Sequence, residues 1–199
     1  MNQPVLKVVE NCSVATFNDT ISAKLNITLE LNKTGWMFFN SESNPNLAPK
    51  QQMRAVGYAE GWLFHEHIAN HFANIKEYFL KTYLQKYNDY PDEIYAFYQQ
   101  NMDWTRTQSQ INRDPYWQQV AYTMAHFDGL VLGYQQQCND SSYLSELDLF
   151  IYMSSGDLLD VVEFALPETR SFFVLPENDE LNDHCSGLVR ITEEEIYVS

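Results

Sequence analysis

The sequence predicts a helix-rich α+β chain on three observations. A period-two apolar alternation stands near the start, apolar stripes at helical spacing fill the middle, and a short β-like run lies close to the end. The alternation sets Leu25, Ile27, Leu29 and Leu31 between Asn26, Thr28 and Glu30, the pattern of a half-buried strand within a β region over 13–45. Asn32-Lys33-Thr34-Gly35 supplies a turn, Trp36 to Phe39 returns as a second strand, and Ser41 to Asn46 leads out in a loop. An early β-hairpin is therefore expected.

From about Gln51 to Lys86 the period becomes helical: Phe64, Ile68, Phe72, Ile75 and Phe79 recur at spacings of three and four, with Ala55, Ala59 and Trp62 leading in on a neighbouring stripe. Gly57 and Gly61 each cost about 1 kcal/mol relative to alanine in a helix interior. Close approach of another backbone would account for both. Asn88-Asp89-Tyr90-Pro91-Asp92 breaks the run, and a second helix is expected from Glu93 to about Ile111, with Tyr95, Tyr98, Met102 and Trp104 as packing contacts. Asp114-Pro115 pairs an N-cap with proline at the first helical position. Behind it Trp117, Val120, Ala121, Met124, Phe127, Val131 and Tyr134 form an apolar face that Asp128-Gly129 interrupts. Asp128 there is structurally constrained, functional, or at the edge of the stripe. Gln135 to Ser142 is a polar connector, Leu144, Leu147, Phe150 and Ile151 have helical spacing, and Ser154-Ser155-Gly156-Asp157 separates them from a last helix, Leu158 to Ala165. Leu166 to Asp183 has two prolines, several acidic residues and no sustained period, which makes it a linker of the kind where proteolysis concentrates. Cys185, Leu188 and Ile191 then open the terminal β-like segment.

Composition removes several function classes. A chain of 199 residues that is 45% hydrophobic and 15% aromatic is long enough for one substantial core and is not a disordered sequence. Its 27 acidic residues outweigh 12 basic ones, for a net charge of −15, so a phosphate backbone is repelled and nucleic acid is not an expected partner. Adsorption to anionic headgroups is equally disfavoured, and a lipid would have to be held by apolar contacts. No run of about 18 apolar residues marks a transmembrane segment. The first residues show no signal peptide, since Met1 to Lys7 lack a basic stretch followed by an apolar one. Asn11, Asn18, Asn26, Asn32 and Asn139 head N-x-Ser/Thr sequons, possible glycosylation sites where the chain is secreted and the asparagine exposed.

Two groups of residues offer chemistry. His65-Glu66-His67 with His71 puts two imidazoles one helical turn apart, but Ala69 stands where HExxH requires its second histidine, so the preferred reading is a polar helix face with no metal. The three cysteines cannot all pair and show no CxxC spacing; if Cys12 and Cys138 bridge, Cys185 is free. Cys185, in His184-Cys185-Ser186-Gly187-Leu188-Val189-Arg190, is either a small apolar residue at a strand start or a nucleophile. Attack of its thiol on the preceding carbonyl, transfer of the acyl group from nitrogen to sulfur, and hydrolysis would leave it as a new N-terminus. Its α-amine, with a reference pKa of about 7.7–8.0, would then serve as the base for its own thiol.

The order of several short motifs carries a resemblance. Ala15-Thr16-Phe17-Asn18-Asp19-Thr20 is followed by Thr34-Gly35-Trp36, Ala55-Val56-Gly57-Tyr58-Ala59-Glu60-Gly61 and Asp114-Pro115-Tyr116-Trp117. Phe127-Asp128-Gly129-Leu130, Gly156-Asp157-Leu158-Leu159-Asp160 and the His184–Arg190 motif complete the series. In this order they resemble the N-terminal part of phospholipase B-like proteins, a family of N-terminal nucleophile hydrolases. The resemblance implies the N-terminal portion of an αββα sandwich, divided into a hairpin plus helical region over 1–165, an acidic propeptide-like linker over 166–184, and the start of a nucleophile-bearing region over 185–199. It implies cleavage between His184 and Cys185, Cys185 as catalytic nucleophile, and no cofactor. Its implied substrates are fatty-acyl esters of glycerophospholipids, with an amide of the same superfamily as alternative, and its implied location is secreted or lysosomal. The family continues well past the equivalent of Ser199 with further site residues, so a truncated chain that is a poor catalyst alone is expected, with the missing C-terminal part as partner. A lipid- or partner-binding fragment without chemistry, and a metal enzyme built on His65, Glu66, His67 and His71, are the competing readings.

Overall fold

The computed structural model describes residue 17, residues 21–167, and the backbone of 189–191 and 196–198. Strand β1 (Ala23–Leu29) pairs antiparallel with β2 (Met37–Ser43), with Leu25 opposite Ser41 and Ile27 opposite Phe39. The alternation sorts the faces as expected: Leu25, Ile27, Met37 and Phe39 are partly covered, while Asn26, Thr28, Phe38 and Asn40 are exposed. Two details differ from the sequence reading. Leu31 does not extend the strand but starts a single helical turn, α1 (Leu31–Thr34), closed by the Lys33 and Thr34 amides on the Glu30 carbonyl at 2.9 and 2.8 Å. Gly35 then reverses the chain at φ 77°, a conformation that a Cβ would penalise. Strand β2 also runs past Ser41 to Ser43, because its polar end still finds ladder partners in Ala23 and Lys24.

The helical run expected over 51–86 is two helices, α2 (Pro49–Leu63) and α3 (His65–Thr82), meeting at Phe64. The change of stripe in the sequence is the trace of this bend. Ala55 and Tyr58 are buried on α2, whereas Ile68, Phe72 and Phe79 are buried on α3 along a different line. Phe64 meets Phe39 edge-on at 5.4 Å, which seats the hairpin against the α2–α3 junction.

Helix α4 (Asp92–Ile111) and helix α5 (Pro115–Gln137) follow at nearly the expected bounds. The Asp114 carboxylate accepts the Trp117 amide at 3.2 Å, so the N-cap and the Pro115 signal both hold. Helix α5 is central: α2 lies along it over the longest contact in the fold, and α4 packs on it elsewhere. The α2–α5 contact is made by glycines from both sides. A Cβ on Gly57 would stand 2.0 Å from the His126 carbonyl oxygen, and one on Gly61 2.1 Å from that of Leu130. Reciprocally, Gly129 faces the Arg54 carbonyl and Gly133 that of Tyr58, at 2.1 and 2.0 Å. The close approach inferred for Gly57 and Gly61 is thus present, and the break that Gly129 makes in the apolar face of α5 is its other half.

Helix α6 (Glu146–Met153) is capped by Ser145 on the Asp148 amide, and α7 (Leu158–Ala165) spans the residues the sequence predicts. Two apolar clusters hold the body together. One joins α3, α4 and α5 through Phe72, Met102, Phe127 and Tyr134 and takes in Leu149 of α6; the other gathers Phe79, Leu84, Ile94, Ile151 and Val162. Each fully buried side chain of this size contributes about 1.5–3 kcal/mol. Trp104 and Trp117 depart from the expected inward packing. They stack edge-on at 5.5 Å near the α4–α5 connection, with Trp104 55% exposed. The terminal β segment is a pair of short strands, β3 (Val189–Ile191) and β4 (Ile196–Val198), antiparallel with Val189 opposite Val198. The helix-rich α+β character read from the sequence is the one observed.

Candidate functional site

His184 and Cys185 lie outside the described residues, and so do Asn11, Asn18 and Cys12. Strand β3 begins shortly after them at Val189, so the described backbone resumes in a β-hairpin just downstream of the candidate nucleophile. Asn26, Asn32 and Asn139 are exposed. They are not equivalent. Asn26 sits on the open face of β1 and Asn32 in the α1 turn, whereas the Asn139 side-chain oxygen accepts the Ser141 and Ser142 amides at 3.0 and 3.1 Å, capping a one-turn 3₁₀ helix.

The histidines of α3 make separate contacts. His65 places Nδ1 2.9 Å from the Trp62 carbonyl, His67 lies edge-on to Phe64, and His71 edge-on to Tyr152. Among the described residues no cluster of three His, Cys, Asp or Glu side chains is arranged to hold a metal ion. Cys138, at the C-terminal end of α5, has a free thiol, part-covered and 3.8 Å from the Gln135 carbonyl. Burial pushes that thiol's pKa up, which lowers its thiolate fraction at neutral pH and makes it a weak nucleophile.

Asp128 is held by an ion pair. The Arg106 guanidinium of α4 reaches the Asp128 carboxylate of α5 at 2.7 Å and also pairs with Glu146 of α6, tying three helices at one point. Burial works against the guanidinium's charge, but the two carboxylates outweigh it and hold its pKa above the ordinary value. Of the readings open for Asp128 in the sequence, structural constraint is the one the geometry supports. A second polar link crosses the glycine contact, with His126 Nε2 2.8 Å from the Glu60 carboxylate.

Sequence reasoning missed one site. The first turns of α2 and the facing parts of α4 and α5 border a cavity of about 400 Å³ whose lining includes Ser22, Lys50, Arg54, Arg106 and Asp128. The Arg54 Nε is buried without a hydrogen-bond partner. Lys50 and Arg54 are four residues apart, so their shared helix face was readable. The approach of Arg106 was not, because it depends on how α4 packs on α5.

Among the described residues no helix is long and apolar enough to cross a membrane. The profile of the Phospholipase B family matches residues 23–199. Among curated relatives, the chain is 28% identical to phospholipase B-like protein C of Dictyostelium discoideum over 182 residues, covering 89% of this chain and 31% of that protein. It is 28% identical to phospholipase B of Crotalus adamanteus over 175 residues, and 27% identical to phospholipase-B 81 of Drysdalia coronoides over 187. Those two alignments cover 81% and 88% of this chain and 30% and 31% of the two relatives. The chain therefore spans about a third of the length of the curated relatives it matches. With a profile match that takes in both hairpins and every helix between them, this chain belongs to the phospholipase B family.

Proposed function

We propose that the chain is the N-terminal segment of a phospholipase B-like acyl hydrolase whose nucleophile is Cys185. The observation that carries this is the extent of the family match, which continues from residue 23 through the His184–Cys185 bond and over the strand pair that follows. In the proposed maturation the Cys185 thiol adds to the His184 carbonyl, the acyl group passes from nitrogen to sulfur, and water releases His184 as a carboxylate. The segment 166–184 acts as the linker, and the region from 185 onward begins the nucleophile-bearing part of an αββα sandwich. In turnover the α-amine of Cys185 takes the thiol proton as sulfur adds to the substrate carbonyl, then passes it to the departing glycerol oxygen. Water hydrolyses the thioester, and a fatty acid leaves. No cofactor is needed, and an amide is cleaved by the same steps with an amine departing. Secretory or lysosomal routing completes the proposal, with Asn26, Asn32 and Asn139 on the surface for glycosylation.

The chain's coverage of about 30% of each relative favours a second element of this reading. Acyl transfer loses a factor of about 10²–10³ when a single oxyanion donor is removed. The remaining two-thirds of the family's length is proposed to supply those donors, leaving this segment alone a poor catalyst. The test is intact mass and N-terminal sequencing of purified protein, alone and co-produced with a C-terminal part taken from a relative. A new terminus at Cys185 that vanishes in Cys185→Ala, with ester hydrolysis appearing only on co-production and blocked by iodoacetamide, is the expected result. An uncut chain in both preparations, or hydrolysis that survives Cys185→Ala, overturns the proposal.

A further inference from the structure

Three of the twelve basic residues of this acidic chain line one cavity. Arg106 is neutralised there by Asp128 and Glu146. Lys50 and Arg54 have no ion-pair partner among the described residues, and the Arg54 Nε is buried with no acceptor. That arrangement burdens the free protein twice. Like charges one turn apart on a helix repel, and a buried guanidinium N–H left without an acceptor loses its hydration without recompense. An anion in the cavity relieves the repulsion between the two cations.

The backbone that carries Arg54 is also held in place. The Arg54 carbonyl is the atom that a Cβ on Gly129 would strike, so this turn of α2 is fixed where the two helices come closest. Asp128, the residue before Gly129, anchors Arg106, which lines the same cavity. Lys50 lies in the first turn of α2, where the helix dipole adds positive potential. The volume of about 400 Å³ exceeds what a bare anion fills and suits one carrying a small substituent.

We propose that this cavity is a binding site for phosphate oxygens, with the Arg54 guanidinium and the Lys50 ammonium as the charged donors and Ser22 among the lining residues. A planar guanidinium beside a point-charge ammonium suits a tetrahedral phosphate, and charge-assisted bonds of this kind are the strong ones. The phosphate can come from an acyl-free glycerophospholipid headgroup or from a free phosphate ion. The proposal does not rest on Cys185, and its test reads binding rather than turnover.

The experiment is calorimetric titration of the full 199-residue chain carrying Cys185→Ala, at low ionic strength, with inorganic phosphate and separately with sn-glycero-3-phosphocholine. One site is expected for at least one probe, weakened by added salt, with Arg54→Gln lowering the affinity at least tenfold and Lys50→Gln lowering it severalfold. Binding of glycerophosphocholine that phosphate displaces identifies the headgroup as the source; binding of phosphate alone identifies the free ion. Lys50 is exposed, so Lys50→Gln decides the matter should Arg54→Gln fail to fold by circular dichroism. Absence of binding by either probe up to about 10 mM, roughly tenfold above a weak dissociation constant of about 1 mM, or an affinity indifferent to the substitutions, overturns the proposal.

Discussion

Gly57 of α2 lies so close to His126 of α5 that an added methyl carbon would sit 2.0 Å from the His126 carbonyl oxygen. The obstacle is backbone, which cannot rotate away as a side chain could. Gly57→Ala is therefore expected to lower stability by about 2–3 kcal/mol through forced separation of the helices, despite alanine's better helix propensity. Gly156→Ala, with open space around its Cβ position, serves as the control and should change stability little. Urea unfolding of the two variants beside the parent checks the difference.

The Arg106 clamp makes a second expectation. Its carboxylate partners are part-exposed, so each pair is worth only about 0.5–1 kcal/mol in water. Arg106→Met should cost more than Asp128→Asn or Glu146→Gln alone, because it leaves two carboxylates facing each other without a cation. A double-mutant cycle over Arg106 and Asp128, read by denaturant midpoint, should return a coupling energy of about 0.5–1 kcal/mol.

Alkaline stability follows from the tyrosines. Burial, with Asp157 nearby, pushes Tyr98 up to about 12, and burial, with Cys138 and Asp148 nearby, does the same for Tyr134. A neutral group whose folded pKa is raised stabilises the fold fully below its unfolded value near 10 and ceases to do so as pH rises through the folded value. Stability should hold up to about pH 10 and fall steeply toward pH 12. Because Tyr78, Tyr116 and Tyr143 are exposed, the test is the difference in tyrosinate absorbance between the parent and Tyr98→Phe or Tyr134→Phe: that difference should develop together with the loss of far-ultraviolet circular dichroism, and its appearance well before the helices melt would contradict the expectation.

The two thiols of interest should separate by reactivity. Cys138 is part-covered with a raised pKa, whereas a Cys185 freed at a chain end would have an amine beside it. Peptide-mapped alkylation by iodoacetamide at pH 7 should label Cys138 at least about tenfold more slowly than Cys185 in processed protein. Equal rates would remove the distinction.

Local chemistry was readable wherever one segment carries its own reason. Asp114-Pro115 marks a helix start because a cap and a missing N–H solve the same local problem, and Leu158 to Ala165 stands out as an apolar stretch between stops. Gly57 and Gly61 announced a close neighbour by their cost in a helix, but not that the neighbour was Gly129 and Gly133, since pairing across such a distance leaves no local mark. The bend at Phe64 escaped because the ladder is nearly continuous through it, with the Ile68 amide still bonded to the Phe64 carbonyl at 2.9 Å. Arg106, Asp128 and Glu146 belong to three helices, and only tertiary packing joins them. Trp104 and Trp117 have core-like chemistry yet satisfy it by stacking on each other at the surface.

The interlocked glycines also set a timetable for biosynthesis. Gly57 and its counterpart Gly129 are roughly seventy residues apart, so the first helix of the pair leaves the ribosome long before its mate. Until α5 emerges, the narrow groove of α2 has nothing to accept, and its apolar neighbours stay uncovered on that side. A pause in translation before residue 129 would lengthen that exposure and, with it, the time open to misassembly.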